Sequence, residues 1–364
     1  MNKEKKIDHR QSVRRRHRIY IGNPGSGSKE DDGLYVLLKE IINNSLEEYD
    51  ISHSKKLEIN INDNGEVYIR DYGRGIPLSH VVYCATFFSA GGMYDNSEET
   101  NKLYSRIGLG GIGLKVVNAL SSYLEIKSFR SGQMSFGIFN KGLLINEEKF
   151  IPTKEPDGTL VRFIPDTEIF GEFSFKHEIV EQIIKTYTYF NCGLEIIYNG
   201  EKYFSYEGMK GLLRAKLKVK PDYPIIRLKA ENIEVAFTNT DDVNEEYHTF
   251  VNEHFTKYGG NHLTAFIDNL HQVVNKLSNM NFNKREIQKG IKAVVSIRIS
   301  EPLFETAGRS KLKSEYATEY NHLTIYEFIE NFLLKELSLF WKNNPEVIKR
   351  FLKRIYKNYH EEDI

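Results

Sequence analysis

Between Leu57 and Asp71 the chain leaves little choice of local fold. Leu57–Ile61 and Glu66–Asp71 alternate apolar and polar residues across the turn Asn62-Asp63-Asn64-Gly65, a strong signal for an antiparallel hairpin. The second strand runs straight into Asp71-Tyr72-Gly73-Arg74-Gly75-Ile76-Pro77. A carboxylate at a strand end, followed by two glycines spaced by one residue, predicts a buried acceptor beside backbone that a planar ligand can approach. In isolation a D-x-G-x-G pattern usually marks only a turn.

The segment before the hairpin, Leu34–Asp50, reads as a helix. At 3.6 residues per turn Leu34, Leu38, Ile41, Ile42, Ser45 and Tyr49 share one side. Glu40, Asn44 and Glu47 form a polar stripe on another. Such a stripe is ordinarily a solvated face. A carboxylate and an amide one turn apart also suit holding a metal ion and a water molecule together.

After the hairpin, residues 90–106 are polar and glycine-flanked, as a mobile lid would be. Gly108-Leu109-Gly110-Gly111-Ile112-Gly113 then opens the helical run Leu114–Leu120. Glycines at a helix start expose backbone N–H groups at the positive end of the helix dipole, a phosphate-binding arrangement. The tract is no dinucleotide fingerprint, because it follows a loop and lacks a βαβ setting. Leu124–Arg130, Met134–Asn140 and Thr159–Pro165 read as further strands.

A chain of 364 residues with 40% apolar residues suggests two domains. Fifty basic residues balance fifty acidic ones, so any nucleic-acid contact must be local. Cys84 and Cys192 fit neither a metal nor a disulfide framework. No apolar run approaches membrane-spanning length and no secretory signal is visible, so the expectation is a cytoplasmic protein with no membrane partner. Residues 1–32, basic and then rich in glycine and serine, read as an arm: a disordered tail, a nucleic-acid contact or a dimer strap. From about residue 219 the pattern changes. Strands are expected at Ile225–Leu228, Ile233–Thr238 and Lys292–Ile299, with strand-then-turn at Thr249–Gly260. An amphipathic helix is expected at His262–Leu277, a projecting loop at Glu301–Arg309, and a long helical stretch at Leu323–Tyr359 interrupted near Asn343-Asn344-Pro345.

Helix E-x-x-x-N, then D-x-G-x-G, then a glycine tract before a helix resembles the Bergerat (GHKL) ATP-binding fold. The closest resemblance is to the ATPase subunits of bacterial type IIA topoisomerases, gyrase B and its topoisomerase IV counterpart. VRRRHRIYIG, KEIINNSLEE, RDYGRGIP, GLGGIGLKVVNALS and DGTLVRFIPD resemble that family's ATPase-domain motifs. YEGMKGL, GGNHLTAF and AVVSIRISEPLFETAGRSKLKS resemble the end of that domain and its transducer domain, which chaperone and kinase members lack. The resemblance implies an α+β chain: an N-terminal arm (1–32), a Bergerat-type α/β sandwich ATPase domain (33–218) and a ribosomal S5-like α/β transducer domain (219–364) ending in a long helix.

It also implies roles. Glu40 falls at the general base for the attacking water and Asn44 at the Mg2+ ligand. Asp71 falls at the acceptor of the adenine amino group, with Thr159 nearby through water. Glu47, Arg74, Gly75, Ile76 and Pro77 line the nucleoside pocket, with Arg130 at its mouth. Gly108, Leu109, Gly110, Gly111, Ile112 and Gly113 match the loop that holds the β- and γ-phosphates of ATP. The chain departs from the family at four places. The transducer signature QTK falls at Ala307-Gly308-Arg309, making Arg309 the candidate for the γ-phosphate contact and Lys311 the second. The lid lysine is Met93, with Lys102 and Arg106 as stand-ins. The histidine that steadies the base is Val36, and the arginine-proline of the N-terminal signature is Arg16-His17.

The function implied is an ATP-hydrolysing gate of a type IIA DNA topoisomerase that forms a homodimer on ATP binding. It would act on DNA with a DNA-cleaving partner subunit or domain, since no Toprim-type or tyrosine-bearing cleavage region is recognisable here. The departures leave a second reading: a nucleotide-binding, dimerising regulator with weak or no hydrolysis and no strand passage.

Overall fold

The computed structural model describes residues 9–52, 55–86, 112–305, 309–318 and 322–361, without the side chains of 47–52 and 358–361. The chain divides into two compact units, residues 1–205 and 206–364. Helix Gly208–Lys216 thus belongs with the second unit, whereas a boundary at 218 assigns it to the first.

In the first unit the helices are α1 (His9–Arg15), α2 (His17–Ile21), α3 (Gly33–Ser52), α4 (Val81–Thr86), α5 (Gly113–Ala119), α6 (Thr167–Phe170) and α7 (His177–Phe190). The strands are β1 (Lys56–Ile61), β2 (Val67–Asp71), β3 (Ser121–Arg130), β4 (Gln133–Asn140), β5 (Leu143–Pro152), β6 (Gly158–Pro165), β7 (Glu195–Tyr198) and β8 (Glu201–Tyr203). They form one sheet in the order β5-β4-β3-β6-β2-β1-β7-β8. Among these strands only the β1–β7 pairing is parallel.

The expected hairpin pairs Ile59 with Ile69 and Leu57 with Asp71. Ile69 in turn faces Val161, which faces Ile126. Because side chains alternate along a strand, Ile59, Ile69, Val161 and Ile126 share one sheet face. They enter a single core with Leu34, Leu37, Leu38, Ile41 and Ile42 of α3, Val116 and Val117 of α5, and Ile183 and Ile184 of α7. Of the side of α3 expected to be buried, Leu34, Leu38, Ile41, Ile42 and Ser45 are buried, and the Tyr49 side chain lies outside the described residues.

Residues 9–32 depart from the expected arm. Val13 and Ile21 are buried in the first unit's core. Arg14 donates to the Ala119 carbonyl at 2.9 Å and pairs with Asp166 at 2.6 Å and Glu168 at 2.8 Å. The basic composition hid two apolar anchors on short helices, and the charges serve as clamps.

The second unit contains α8 (Gly208–Lys216), β9 (Ile226–Ala230), β10 (Ile233–Asn239), β11 (Glu246–Val251), β12 (His254–Phe255), α9 (Asn261–Ser278), α10 (Lys284–Gln288), β13 (Ile291–Ile297), β14 (Tyr316–Thr318), β15 (Leu323–Thr324), α11 (Ile325–Asn343) and α12 (Pro345–Glu361). Its main sheet runs β12-β11-β13-β10-β9, with β11 parallel to β13. The α8 residues Met209, Leu212 and Leu213 are buried, and the Met209 amide donates to Glu234 of β10 at 2.7 Å. The helical stretch breaks at Asn344 as expected, because Pro345 cannot continue α11 but suits a first helical turn. Phe351 and Ile355 of α12 enter the second core. Among the described residues no helix is long and apolar enough to cross a membrane.

Candidate nucleotide site

One residue row beyond the Ile69–Val161 pair, the buried sheet face becomes polar. Asp71 lies there, only 4% exposed. Its Oδ1 accepts from the amides of Gly73 at 3.0 Å and Thr159 at 3.1 Å. The first bond is the local turn expected of Asp-x-Gly. The second crosses from β2 to β6 and fixes the carboxylate against the strand that carries Thr159. Ser128, paired with Thr159, donates to the Ile76 carbonyl at 2.7 Å. Gly75 has φ +71° and passes so close that a methyl group on it would lie 2.6 Å from the Phe129 carbonyl oxygen and 2.9 Å from Ser128 Oγ. Only glycine fits both the conformation and the gap. The Arg130 Nη1 to Gly75 carbonyl distance is 3.5 Å, at the outer limit of a hydrogen bond.

On α3, Glu40 is half-buried and Asn44 exposed, one turn apart. The Glu40 carboxylate reaches the first residue of α5. A methyl group on Gly113 would run into Glu40 Oε2 and lie 2.9 Å from Cδ. Val36, one turn before Glu40, packs against the core instead of offering a polar partner. Asp71, Gly75, Thr159, Glu40, Asn44, Ile112 and Gly113 are therefore all described in the first unit, with Arg74, Ile76 and Pro77 in the turn after β2. The Glu47 side chain, Gly108–Gly111 and the expected lid residues 90–106, Met93, Lys102 and Arg106 among them, lie outside the described residues.

Arg309 and Lys311 belong to the second unit. Arg309, with φ +53°, places Nη1 against Nε2 of His254. A guanidinium only donates, so that ring nitrogen is the acceptor. The Lys311 ammonium pairs with Glu305 at 2.8 Å. The base of the loop is closed by the Glu305 amide on the Lys311 carbonyl at 3.0 Å and the Leu303 amide on Ser314 Oγ at 2.7 Å. Ala307 and Gly308 lie outside the described residues. His254 is not foreseeable from local pattern, because its partner Arg309 lies 55 positions on in the chain.

A carboxylate held by amides at a sheet end and a second set against a glycine-opened helix lie within a stretch that matches one class, the histidine kinase-, DNA gyrase B- and HSP90-like ATPases. The description of that class matches residues 29–169, and the DNA gyrase B family matches residues 196–363. The topoisomerase IV B protein of Borreliella burgdorferi is 35% identical over 301 residues, covering 82% of this chain and 49% of the relative. The DNA gyrase B of Thermotoga maritima is 30% identical over 378 residues, covering 94% and 57%. The 43K ATPase domain of Thermus thermophilus gyrase B, solved in complex with an aminocoumarin, shares the fold at a TM-score of 0.77. It is 23% identical, covering 98% of this chain and 97% of that one. The chain belongs to the family of gyrase B and topoisomerase IV B ATPase subunits. It spans about half the length of the curated relatives it matches. The two-domain α/β architecture expected from the motifs is the one the matched structure has.

Proposed function

We propose that this chain binds and hydrolyses ATP and acts as the nucleotide-dependent dimerising gate of a type IIA DNA topoisomerase. One observation carries the reading: the Glu40 carboxylate abuts Gly113, the residue that opens α5 and ends the glycine tract to which the resemblance assigns the phosphates. Phosphoryl transfer needs positioning and charge neutralisation more than covalent chemistry, so a base beside a nest of amides meets its main demands.

In this reading Asp71 accepts the adenine amino group, with Thr159 contributing through water. Glu47, Arg74, Gly75, Ile76, Pro77 and Arg130 surround the nucleoside, and the amides of Gly108–Gly113 hold the phosphates. Glu40 accepts the proton of the attacking water. The exposed amide of Asn44, one turn along the same stripe, is a hard oxygen donor of the kind Mg2+ takes alongside phosphate oxygens and water. Mg2+ bound there would neutralise phosphate charge. Arg309 serves as the γ-phosphate contact, with Lys311 the weaker candidate because Glu305 already neutralises it. A cytoplasmic homodimer working on DNA with a cleaving subunit or domain completes the proposal; the names of the relatives, B subunits of DNA gyrase and DNA topoisomerase 4, support the part that concerns DNA and a further subunit.

The test is the ATPase rate of the chain together with its oligomeric mass with and without a non-hydrolysable ATP analogue. Turnover plus analogue-dependent dimers is the expected result. A chain that stays monomeric and never turns over ATP removes the proposal. A second reading, a dimerising regulator with weak or no hydrolysis, draws on Val36 where the base would be steadied; analogue-driven dimers without turnover would select it.

A further inference from the structure

The residue before Asp71 points the other way. Arg70 faces Leu160 on the opposite side of the sheet, yet it is only 3% exposed. Its guanidinium lies between two rings, 4.8 Å from the centroid of Tyr72 and 4.4 Å from that of Phe129. Nη1 donates to the Asp71 carbonyl, and Nη2 to the Pro156 carbonyl at 2.5 Å and more distantly to Asp157 at 3.5 Å. Among the described residues no carboxylate comes within ion-pair distance of it. Burying a cation on carbonyls and ring faces alone is unfavourable unless the geometry is well satisfied. The planar fork meets that condition by bridging two carbonyls that a lysine point charge cannot span together. Gly158 completes the fit, since a methyl group there would strike both Nη1 and the Asp71 carbonyl oxygen.

The bridge joins two segments that both reach the Asp71 carboxylate. Asp71 is the end of β2; Pro156 and Asp157 lead into β6, whose Thr159 amide binds Asp71 Oδ1. Arg70 therefore clamps from behind the backbone on either side of that carboxylate. A fixed, acceptor-only carboxylate attracts the amino group of adenine and repels the carbonyl oxygen that guanine carries at the same ring position. A carboxylate on loosened backbone can turn away and relieve the repulsion.

We infer that Arg70 is a positioning residue that sets base selectivity, by holding the Asp71 backbone to the strand that carries Thr159. The inference rests on the proposed adenine role of Asp71. R70M keeps an apolar stem between the rings and removes the bridge; R70K keeps a charge without the fork, and supplies the same readings should R70M fail to unfold cooperatively. Calorimetric titration of the whole chain with non-hydrolysable ATP and GTP analogues, alongside D71N and the R70M/D71N double variant, decides it. R70M is expected to weaken the ATP analogue about tenfold and the GTP analogue far less. The loss in turnover should fall on KM more than on kcat, and R70M should add little in the D71N background. Equal weakening of both analogues, or losses that multiply in the double variant, would overturn the role of Arg70 while leaving that of Asp71 intact. If D71N itself leaves ATP-analogue affinity unchanged, the adenine reading fails, and this inference with it.

Discussion

Gly113 and Glu40 touch, although 73 positions separate them: the Gly113 Cα faces the carboxylate so closely that even one methyl group would collide with Oε2. This contact joins the polar stripe of α3 to the start of α5. It explains why a glycine stands at a helical position where alanine has the better intrinsic propensity, by about 1 kcal/mol.

Gly113→Ala is accordingly expected to separate stability from activity. The helix gains propensity, so the melting temperature should change little. The carboxylate must move, and a shift of about 1 Å in a catalytic group can cost roughly a hundredfold in rate. Steady-state turnover and thermal unfolding of the same preparation check both halves. Unchanged turnover would show that the contact does not place the base.

Glu40→Gln keeps the volume and the contact with Gly113 but cannot take up a proton. Turnover should fall by about 10²- to 10⁴-fold, the range typical of losing a general base. Dimerisation driven by a non-hydrolysable analogue should persist, because it depends on binding. Sedimentation with the analogue and a phosphate-release assay measure the two. Full turnover in the variant rules out Glu40 as the base.

Much of this arrangement was legible because it is local. The hairpin register follows from alternation and a four-residue turn, and the buried side of α3 from its period. The break at Asn344-Pro345 follows from proline chemistry. What escaped depends on partners far away in sequence. Arg70 reads as an ordinary outward residue of a strand until Pro156, 86 positions on, supplies its acceptor. Val13 stands alone in a basic stretch, and Ile21 ends the run Ile19-Tyr20-Ile21, whose first two residues are exposed, so no period reveals which residues are buried. Strand β5, eight of whose ten residues in a row are exposed, has no buried side to betray it. His254 meets Arg309 because Ser310 and Leu312, just after Arg309, pair with the backbone of Tyr258 and Gly259, just after β12.

The resemblance drawn from the motifs makes Arg309 the candidate for the γ-phosphate contact, and its guanidinium lies on His254. If it serves the γ-phosphate, Arg309→Ala should lower turnover at least tenfold while ADP affinity stays within about twofold, since ADP lacks that group. Arg309→Lys should recover only part of the loss, because an ammonium replaces a fork with a point charge. Turnover with parallel ADP titrations gives the comparison. Loss of ADP affinity in Arg309→Ala would assign the residue to general nucleotide binding instead.

His262, at the start of α9, should make the second unit sensitive to acid. It is fully buried, with Nε2 3.2 Å from Thr256 Oγ1, and Nδ1 has no hydrogen-bond partner among the described residues. Burial disfavours the imidazolium and pulls the pKa from 6.5 down to about 4. The unfolded chain therefore takes up this proton first as the pH falls below 6.5. The neutral ring's contribution is complete above that value and is lost progressively down to about pH 4, amounting to about 3 kcal/mol. His248 is displaced in the same direction by burial, and Glu246 opposes it, so the wild-type curve alone does not isolate His262. The difference between wild type and His262→Gln does. Denaturant unfolding followed from pH 7 to pH 4.5 should show the variant losing less stability than wild type over that range, by about 2 kcal/mol. Parallel curves would mean that the ring is protonated, or reached by water, in the native state.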